Sequence, residues 1–209
     1  MPTRLSLGER TIHFCIDNLC KFYSEDRSRY GFLIPLDDYL YSREDVINNI
    51  VLWRNRDTQA ISNYTKVTYH ETATYLKKWI NCSDRVFFLI FSADNDLIGH
   101  IGVILTGPES ASLENFRRGV STPDFPDMFF RAELFLINLF ESKFNIRRID
   151  IETMSYNIPL IVMHEAAGFR VKQCVELDPG EMEVWKGGRL VQDAHNKFKR
   201  VKMLRLSAG

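Results

Sequence analysis

The sequence predicts an α/β domain with a mixed, mostly antiparallel central sheet flanked by helices. Its hydrophobic pattern has a helical period up to residue 80 and a strand-like period from Val86 onward. One long helical segment, residues 128–144, separates the strand-like segments. An apolar fraction of 45% supports a packed core, and 209 residues suit one domain. We therefore expect a single domain over residues 1–209, with 1–30 as an N-terminal extension.

One strand and two helices are predicted between residues 31 and 80. The strand begins at Gly31. Ser42, followed by acidic residues at 44 and 45, is typical of a helix start, and the apolar stripe of that helix continues to residue 56. The second helix should begin after Thr68, because Glu71 three positions later completes a capping-box pattern.

Strands and one helix alternate from residue 86 to residue 154. The predicted strands are 86–91, 97–105, 110–119 and 147–154, and the helix is 128–144. Gly99 and Gly102 lie inside the second of these strands, which indicates a bulge or a close approach of another backbone. The helix has apolar residues on nearly all sides, so it should be central in the domain.

A short helix is predicted between Asn157 and Gly168. Pro159 fits the first turn, and Gly168 is the residue type favoured just past a helix end. His164 lies seven positions after Asn157 and therefore shares a face with the apolar residues at three and four positions. The predicted strand after this helix is 170–177. A hairpin is predicted at the end, with residues 183–186 before a turn at Gly187-Gly188 and with 198–206 as the last strand.

The spacing of this short helix resembles a motif of the GNAT superfamily of acyl-CoA-dependent N-acyltransferases. The family pattern has Asn, an Ala-Ile pair three and four positions later, Tyr at seven, and Gly-Phe at eleven and twelve. The corresponding residues here are Asn157, Leu160, Ile161, His164, Gly168 and Phe169. The resemblance implies that acetyl-CoA is the cosubstrate and that residues 86–177 form the acyl-CoA-binding core.

The resemblance also implies an acceptor, the primary amine of a small molecule, with a nucleotide-linked amino sugar as the leading candidate. Family members that acetylate amino sugars or ribosomal-protein N-termini are the most similar. Two alternatives stay open: a protein N-terminal or lysine acetyltransferase, and a GNAT-like binding module without catalysis. The second alternative arises because residues 121–127 lack the glycines of the family and His164 stands in the place of the family's Tyr.

Two residues are candidates for catalysis. His164 would protonate the departing CoA thiolate, since histidine can supply a proton near neutral pH; it could equally be a helix-face histidine bonded to a neighbour. Glu114 would relay the proton of the amine through water; it could equally be a solvent-facing carboxylate. His100, on the neighbouring strand, is expected to be a core histidine rather than a base.

Seven residues are candidates for binding the cosubstrate. They lie at the end of the third strand, at the start of the long helix and at the start of the short helix: Phe116, Arg117, Arg118, Gly119, Met128, Phe129 and Asn157. Adjacent strand residues face opposite sides, so only one of the two arginines should face a phosphate, and we favour Arg118. Asn157 could instead serve only as a helix cap.

The loop before the long helix departs from the family pattern. GNAT proteins usually carry a second glycine there, which lets backbone N–H groups approach the CoA pyrophosphate. This chain follows Gly119 with a longer loop that contains Asp124 and Asp127. Either these acids point away and Asp127 caps the helix, or CoA binding is weakened.

The composition limits which further partners, metals and locations we expect for the protein. Lys plus Arg equal Asp plus Glu at 27 each, so no general attraction to nucleic acid is expected. The basic stretch 197–202 should be a solvated edge strand. Four cysteines without metal-site spacing indicate reduced thiols, no metal and a cytoplasmic location. The longest apolar run, 86–91, is too short to span a bilayer. Pairing of the last strands between subunits would give a homodimer.

Overall fold

A computed structural model describes residues 7–18, 20–56, 66–155, 157–176 and 199–206. The helices within these ranges are α1 (Leu7–Asn18), α2 (Asp38–Tyr41), α3 (Glu44–Arg56), α4 (Tyr69–Ile80), α5 (Met128–Phe144) and α6 (Ile158–Ala166). The strands are β1 (Lys21–Tyr23), β2 (Tyr30–Pro35), β3 (Arg85–Ser92), β4 (Leu97–Gly107), β5 (Ser110–Arg118), β6 (Arg148–Met154), β7 (Arg170–Glu176) and β8 (Lys199–Leu206).

The strands form one sheet in the order β1-β2-β3-β4-β5-β6-β8-β7. Every neighbouring pair is antiparallel except β5 and β6, which are parallel. A parallel pair needs a crossover connection, and α5 supplies it. The predicted mixed, mostly antiparallel sheet flanked by helices is therefore confirmed.

Helices cover both faces of the sheet. Alternate residues of β3 point to opposite faces: Phe88 packs with α1 and α5, whereas Phe87 and Leu89 pack with α2, α3 and α4. On the first face, α6 contributes Ile161 to the packing. Because both faces are covered, β3 is apolar throughout, as its sequence requires. No helix in the described ranges is long and apolar enough to cross a lipid bilayer.

The predicted start of α4 is confirmed, and α3 begins with Glu44 and Asp45 in its first turn, as predicted, although without the predicted cap. At α4, the Glu71 N–H donates to the Thr68 hydroxyl (3.2 Å) and the Thr68 N–H donates to the Glu71 carboxylate (2.8 Å). Ser42 does not cap α3, because the short helix α2 precedes it and the Ser42 hydroxyl donates to the Tyr39 carbonyl (2.7 Å).

The ends of the sheet differ from the sequence prediction. β8 lies between β6 and β7, so the basic stretch that it carries is not on an edge of the described sheet. That position leaves β8 no edge with which to pair another subunit. Two described elements of the predicted N-terminal extension pack on the domain: β1 pairs with β2, and Cys15 of α1 is buried in the core. The predicted turn at 187–188 lies outside the described residues.

We expect the Thr68→Ala variant to be less stable than the wild type by about 1 kcal/mol, because the first turn of α4 loses its capping hydroxyl. Thermal unfolding followed by circular dichroism measures the difference. Thr68→Ser keeps the hydroxyl and is the matched control; equal losses in both variants would contradict a role for the capping box.

Candidate active site

β5 and β6 separate partway along their length. Their parallel pairing runs from Ser110 opposite Arg148 to Leu113 opposite Ile151. Among the described residues, 114–118 of β5 have no partner on β6, although β4 still pairs along their other edge. The backbone N–H and C=O groups of this part of β5 are therefore open to an extended ligand.

A bulge between β4 and β5 accompanies this separation. The pairing register shifts between His100 and Gly102, and Asn115 has a left-handed φ of 52°. A Cβ at Gly102 would lie 2.6 Å from the Trp79 ring, so only glycine lets α4 approach β4 this closely. The bulge or close approach predicted from the glycines of β4 is confirmed. Bulges bend the strands that carry them, which is consistent with β5 leaving β6 here.

The gap between β5 and β6 is part of a cavity of about 640 Å³. From the α3 and α4 side it is lined by Arg54 and Tyr75, from the strands by Glu114 and Phe116, and from α6 by His164. The cavity thus joins the two faces of the sheet. Two reactants could reach a common point from opposite faces.

His164 is fully buried and forms a short hydrogen bond with Glu133 of α5. The distance from His164 Nδ1 to Glu133 Oε1 is 2.6 Å, and both side chains have no exposed surface. The imidazole also packs edge-on against Phe116, with ring centroids 4.9 Å apart. The hydrogen bond to a neighbour that the sequence left open is present, and the catalytic role stays a prediction.

Glu133 was missed by the sequence interpretation, which assigned all of α5 to the core. It lies on the buried face of α5 together with Phe129, Leu136 and Phe140. A carboxylate at helical spacing within an apolar face was the available signal, because a buried acid needs a partner.

Glu114 lies at the exposed side of the cavity, on the part of β5 that has left β6. Partial burial raises the pKa of its carboxyl; the charge of Arg85 opposes the rise, and the charge of Glu152 adds to it. A carboxyl with a raised pKa is a stronger base once ionised, as a proton relay requires. The relay role itself stays a prediction.

The two arginines at the end of β5 point in different directions, as predicted. Arg117 donates from Nη1 to the Trp53 carbonyl (3.1 Å) and so faces α3. Arg118 donates from Nη2 to the Ser121 hydroxyl (2.9 Å), at the start of the loop before α5. Arg118 is therefore the one of the two near the loop where the family binds phosphate, and its contact with phosphate stays a prediction.

Gly119 has a packing role that the sequence did not indicate, and its contact with the cosubstrate stays a prediction. Its N–H donates to the Ile98 carbonyl (2.7 Å), and its carbonyl accepts from Arg56 Nη1 (2.7 Å). A Cβ at this position would lie 2.0 Å from the Trp53 ring. Glycine is needed here so that Trp53 can pack against the strand end, and the Gly119 N–H is not free for a phosphate.

The start of α5 also departs from expectation. The side chains of Met128 and Phe129 are buried in the core, and the Met128 N–H donates to the Phe125 carbonyl (3.1 Å), so of these two residues only the backbone of Phe129 could approach a phosphate. Asp127 occupies the cap position but makes no side-chain cap; it accepts from Arg131 Nε (2.8 Å) instead. The charge of Asp127 is thus paired, and the positive end of the α5 dipole stays without a carboxylate cap.

Asn157 and His100 are the last two residues that the sequence singled out near the site. Asn157 occupies the N-cap position of α6, where its carbonyl accepts from the N–H of Leu160 and of Ile161 (3.1 Å each). Its side chain makes no cap hydrogen bond, and its binding to the cosubstrate stays a prediction. His100 packs between Trp53 and Phe87. Burial, followed by the charge of Arg117, lowers its pKa to about 3, as expected for a core histidine rather than a base.

This arrangement is that of an acyltransferase whose donor is an extended thioester. An open strand edge can pair with the amides of a pantetheine arm, a helix N-terminus can face phosphates, and a carboxylate and a buried histidine meet at one cavity. Residues 41–176 match the family model described as an acetyltransferase (GNAT) domain. The match spans well over half of the chain, so the chain belongs to the GNAT family. It is an acyl-CoA-dependent N-acetyltransferase with acetyl-CoA as its cosubstrate.

Solved structures of other family members share the fold. A spermidine N-acetyltransferase from Vibrio cholerae, in complex with CoA and spermine, has 15% identity and a TM-score of 0.61 over 84% of this chain and 95% of its own. A ribosomal L7/L12 alpha-N-protein acetyltransferase in complex with coenzyme A has 14% identity and a TM-score of 0.64 over 86% and 94%. A nucleotide-linked sugar GNAT, FdhC, has 14% identity and a TM-score of 0.58 over 84% and 86%. No curated protein matched the sequence significantly.

We expect Gly119→Ala to lower the stability of the protein by about 1–3 kcal/mol, because the added methyl group overlaps the buried Trp53 ring. Chemical denaturation measures the loss. Gly107→Ala is the matched control, since its added methyl group would meet only the Ser110 side chain. A Gly119→Ala protein of normal stability that no longer binds CoA would contradict the packing role and favour the phosphate role.

Proposed function

We propose that this enzyme transfers the acetyl group of acetyl-CoA to the primary amine of a small acceptor, and that the acceptor is a nucleotide-linked amino sugar. The observation that carries the proposal is the single cavity that joins both faces of the sheet where β5 leaves β6. The donor would enter from the α5 and α6 side and the acceptor from the α3 and α4 side.

The donor side offers groups suited to each part of acetyl-CoA. The open backbone of β5 around Phe116 would pair with the pantetheine amides, and this pairing needs no particular side chain. The N-terminus of α5 and the guanidinium of Arg118 would face the pyrophosphate. The free side chain of Asn157 would bind the cosubstrate from α6.

The acceptor side carries both signs of charge. The guanidinium of Arg54 lies 5.0 Å from the centre of the Tyr75 ring, and both residues line the cavity. Glu114, Asp150 and Glu152 line the other wall. An acceptor with a phosphate group and an ammonium group would pair with the arginine of one wall and with the carboxylates of the other. A nucleotide-linked amino sugar carries both groups. The shared fold of the nucleotide-linked sugar GNAT is consistent with this choice.

The residues would divide the reaction between them. Glu114 takes a proton from the acceptor ammonium through water, and the free amine attacks the thioester carbonyl carbon. The carbon–sulfur bond then breaks as the attacking nitrogen gives its second proton to water and the neutral amide forms. His164 gives a proton to the departing thiolate, which leaves as CoA, so that the nitrogen loses one proton to Glu114 and one to water while the sulfur receives one from His164.

We expect titration calorimetry to show binding of acetyl-CoA, and a screen of amines to show the highest kcat/KM with nucleotide-linked amino sugars. The screen should include spermidine and peptides with free amino termini, because the proteins that share this fold include a spermidine N-acetyltransferase and a ribosomal-protein N-acetyltransferase. A preference for spermidine or for peptides would overturn the acceptor. Absence of both binding and turnover would overturn the whole proposal.

We expect Glu114→Gln to lower kcat/KM by about 10²-fold, since a general base contributes at least that much. In the wild type, kcat/KM should rise with pH through the raised pKa of Glu114, because the carboxylate must be ionised to accept a proton. That rise should disappear in the variant. Glu109→Gln, at the other end of the β4–β5 hairpin, is the control and should keep the wild-type pH profile.

A further inference from the structure

The buried pair of Glu133 and His164 has two polar atoms left without partners. Glu133 Oε1 bonds His164 Nδ1, while Glu133 Oε2 and His164 Nε2 are buried and have no hydrogen-bond partner among the described residues. Buried polar atoms without partners are costly, and in an enzyme they call for an explanation. His164 lines the cavity, whereas Glu133 is not among the residues that line it.

The position of the protons follows from the charge of the pair. An ionised Glu133 beside a neutral His164 would leave one uncompensated negative charge in a site with no exposed surface, which burial strongly disfavours. One more proton makes the pair neutral overall. A proton on Glu133 Oε2 would have no acceptor. A proton between Nδ1 and Oε1, in contrast, forms the hydrogen bond of the 2.6 Å contact. In that arrangement the other imidazole hydrogen is on Nε2.

We propose that Glu133 is a positioning residue that keeps the proton of His164 on Nε2, so that the two side chains act as one acid toward the thiolate of CoA. This inference rests on the proposed function, because it assigns the source of the proton that His164 donates there. The balance is complete: Nε2–H gives its proton to the sulfur, the thiolate becomes a thiol, and the pair holds the negative charge, which its burial disfavours, only until it is protonated again. Solvent returns the proton after CoA has left.

The surroundings of the pair favour this role. The rings of Phe116 and Phe169 pack against the imidazole and keep the pair in an apolar setting. The anionic groups that share the cavity wall with His164 are Glu114, Asp150 and Glu152, and the cationic groups are Arg54 and Arg117. The neutral, titratable groups on that wall are His100 and Tyr75. None of the described groups makes a hydrogen bond to Nε2 that would compete for its proton.

The decisive variant is Glu133→Gln, which keeps the shape of the side chain and removes its charge. We expect kcat to fall by about 10²-fold, the size of a general-acid contribution, with KM for acetyl-CoA unchanged. The pH profile of kcat should differ between the wild type and the variant, because the variant lacks the carboxyl group that shares a proton with His164. A pH profile identical to that of the wild type would overturn the inference.

Glu141→Gln is the matched control. Glu141 lies two turns further along α5 and forms a partly buried ion pair with Arg205 (3.1 Å), outside the cavity. Losing this ion pair should lower stability without moving the pH profile. A shift of the profile in Glu141→Gln equal to that in Glu133→Gln would show a general effect of charge on α5 and overturn the inference.

His164→Asn separates failure of this inference from failure of the proposed function. If His164→Asn is as slow as Glu133→Gln and the double variant is no slower, the pair acts as a unit. If His164→Asn is impaired and Glu133→Gln is not, the inference fails and the acid role of His164 stands. If His164→Asn keeps full turnover, the inference and the acid role both fall, while acetyl transfer itself stands.

A measurement that needs no turnover completes the test. Nuclear magnetic resonance of the protein labelled with ¹⁵N-histidine, with His164→Asn to assign the signal, reports whether Nε2 carries a hydrogen. We expect Nε2 of the wild type to carry a hydrogen at the pH of the assay. A wild-type protein whose Nε2 carries no hydrogen would overturn the inference even where no acceptor has been found.

Discussion

The separation of β5 from β6 is the constraint on which the site depends. Four residue pairs join the strands, and beyond Leu113 and Ile151 nothing on β6 satisfies the backbone of β5. In a continuous sheet those groups would be paired, the cavity would close, and the two faces would have no passage between them. The bulge at Gly102 and the packing of Trp53 on Gly119 fix β5 on its other edge, so the strand cannot move back toward β6.

Charge is distributed differently on the two sides of this passage. On the α3 and α4 side, arginines and carboxylates stand at a partly open wall, where water screens them and where a polar acceptor can replace that water. On the α5 and α6 side, the pair of Glu133 and His164 has no exposed surface and lies among aromatic rings. Moving a proton between such groups changes the electrostatic energy more there than at the open wall, because little water is present to screen the charges.

The sequence determined the local elements well and the long-range arrangement poorly. The bounds of α5 were predicted correctly because its apolar period is continuous, whereas the four-residue α2 is too short to show a period, which led to the wrong role for Ser42. A glycine at the end of a strand suits a phosphate loop or a packed tryptophan equally. Only the fold brings Trp53 to Gly119, and only the fold brings Glu133 to His164.

The place of β8 in the sheet bears on how the protein folds. β8 is inserted between β6 and β7, and its Arg205 donates to the carbonyl of Ala167 at the end of α6 (3.2 Å). The helix that carries His164 is therefore supported by β8, the described strand that comes last in the sequence. Contacts between distant parts of a chain form slowly, because the intervening loop must first lose conformational entropy. The thioester side of the cavity is thus expected to be the last part to assemble, after the acceptor side has formed from earlier segments.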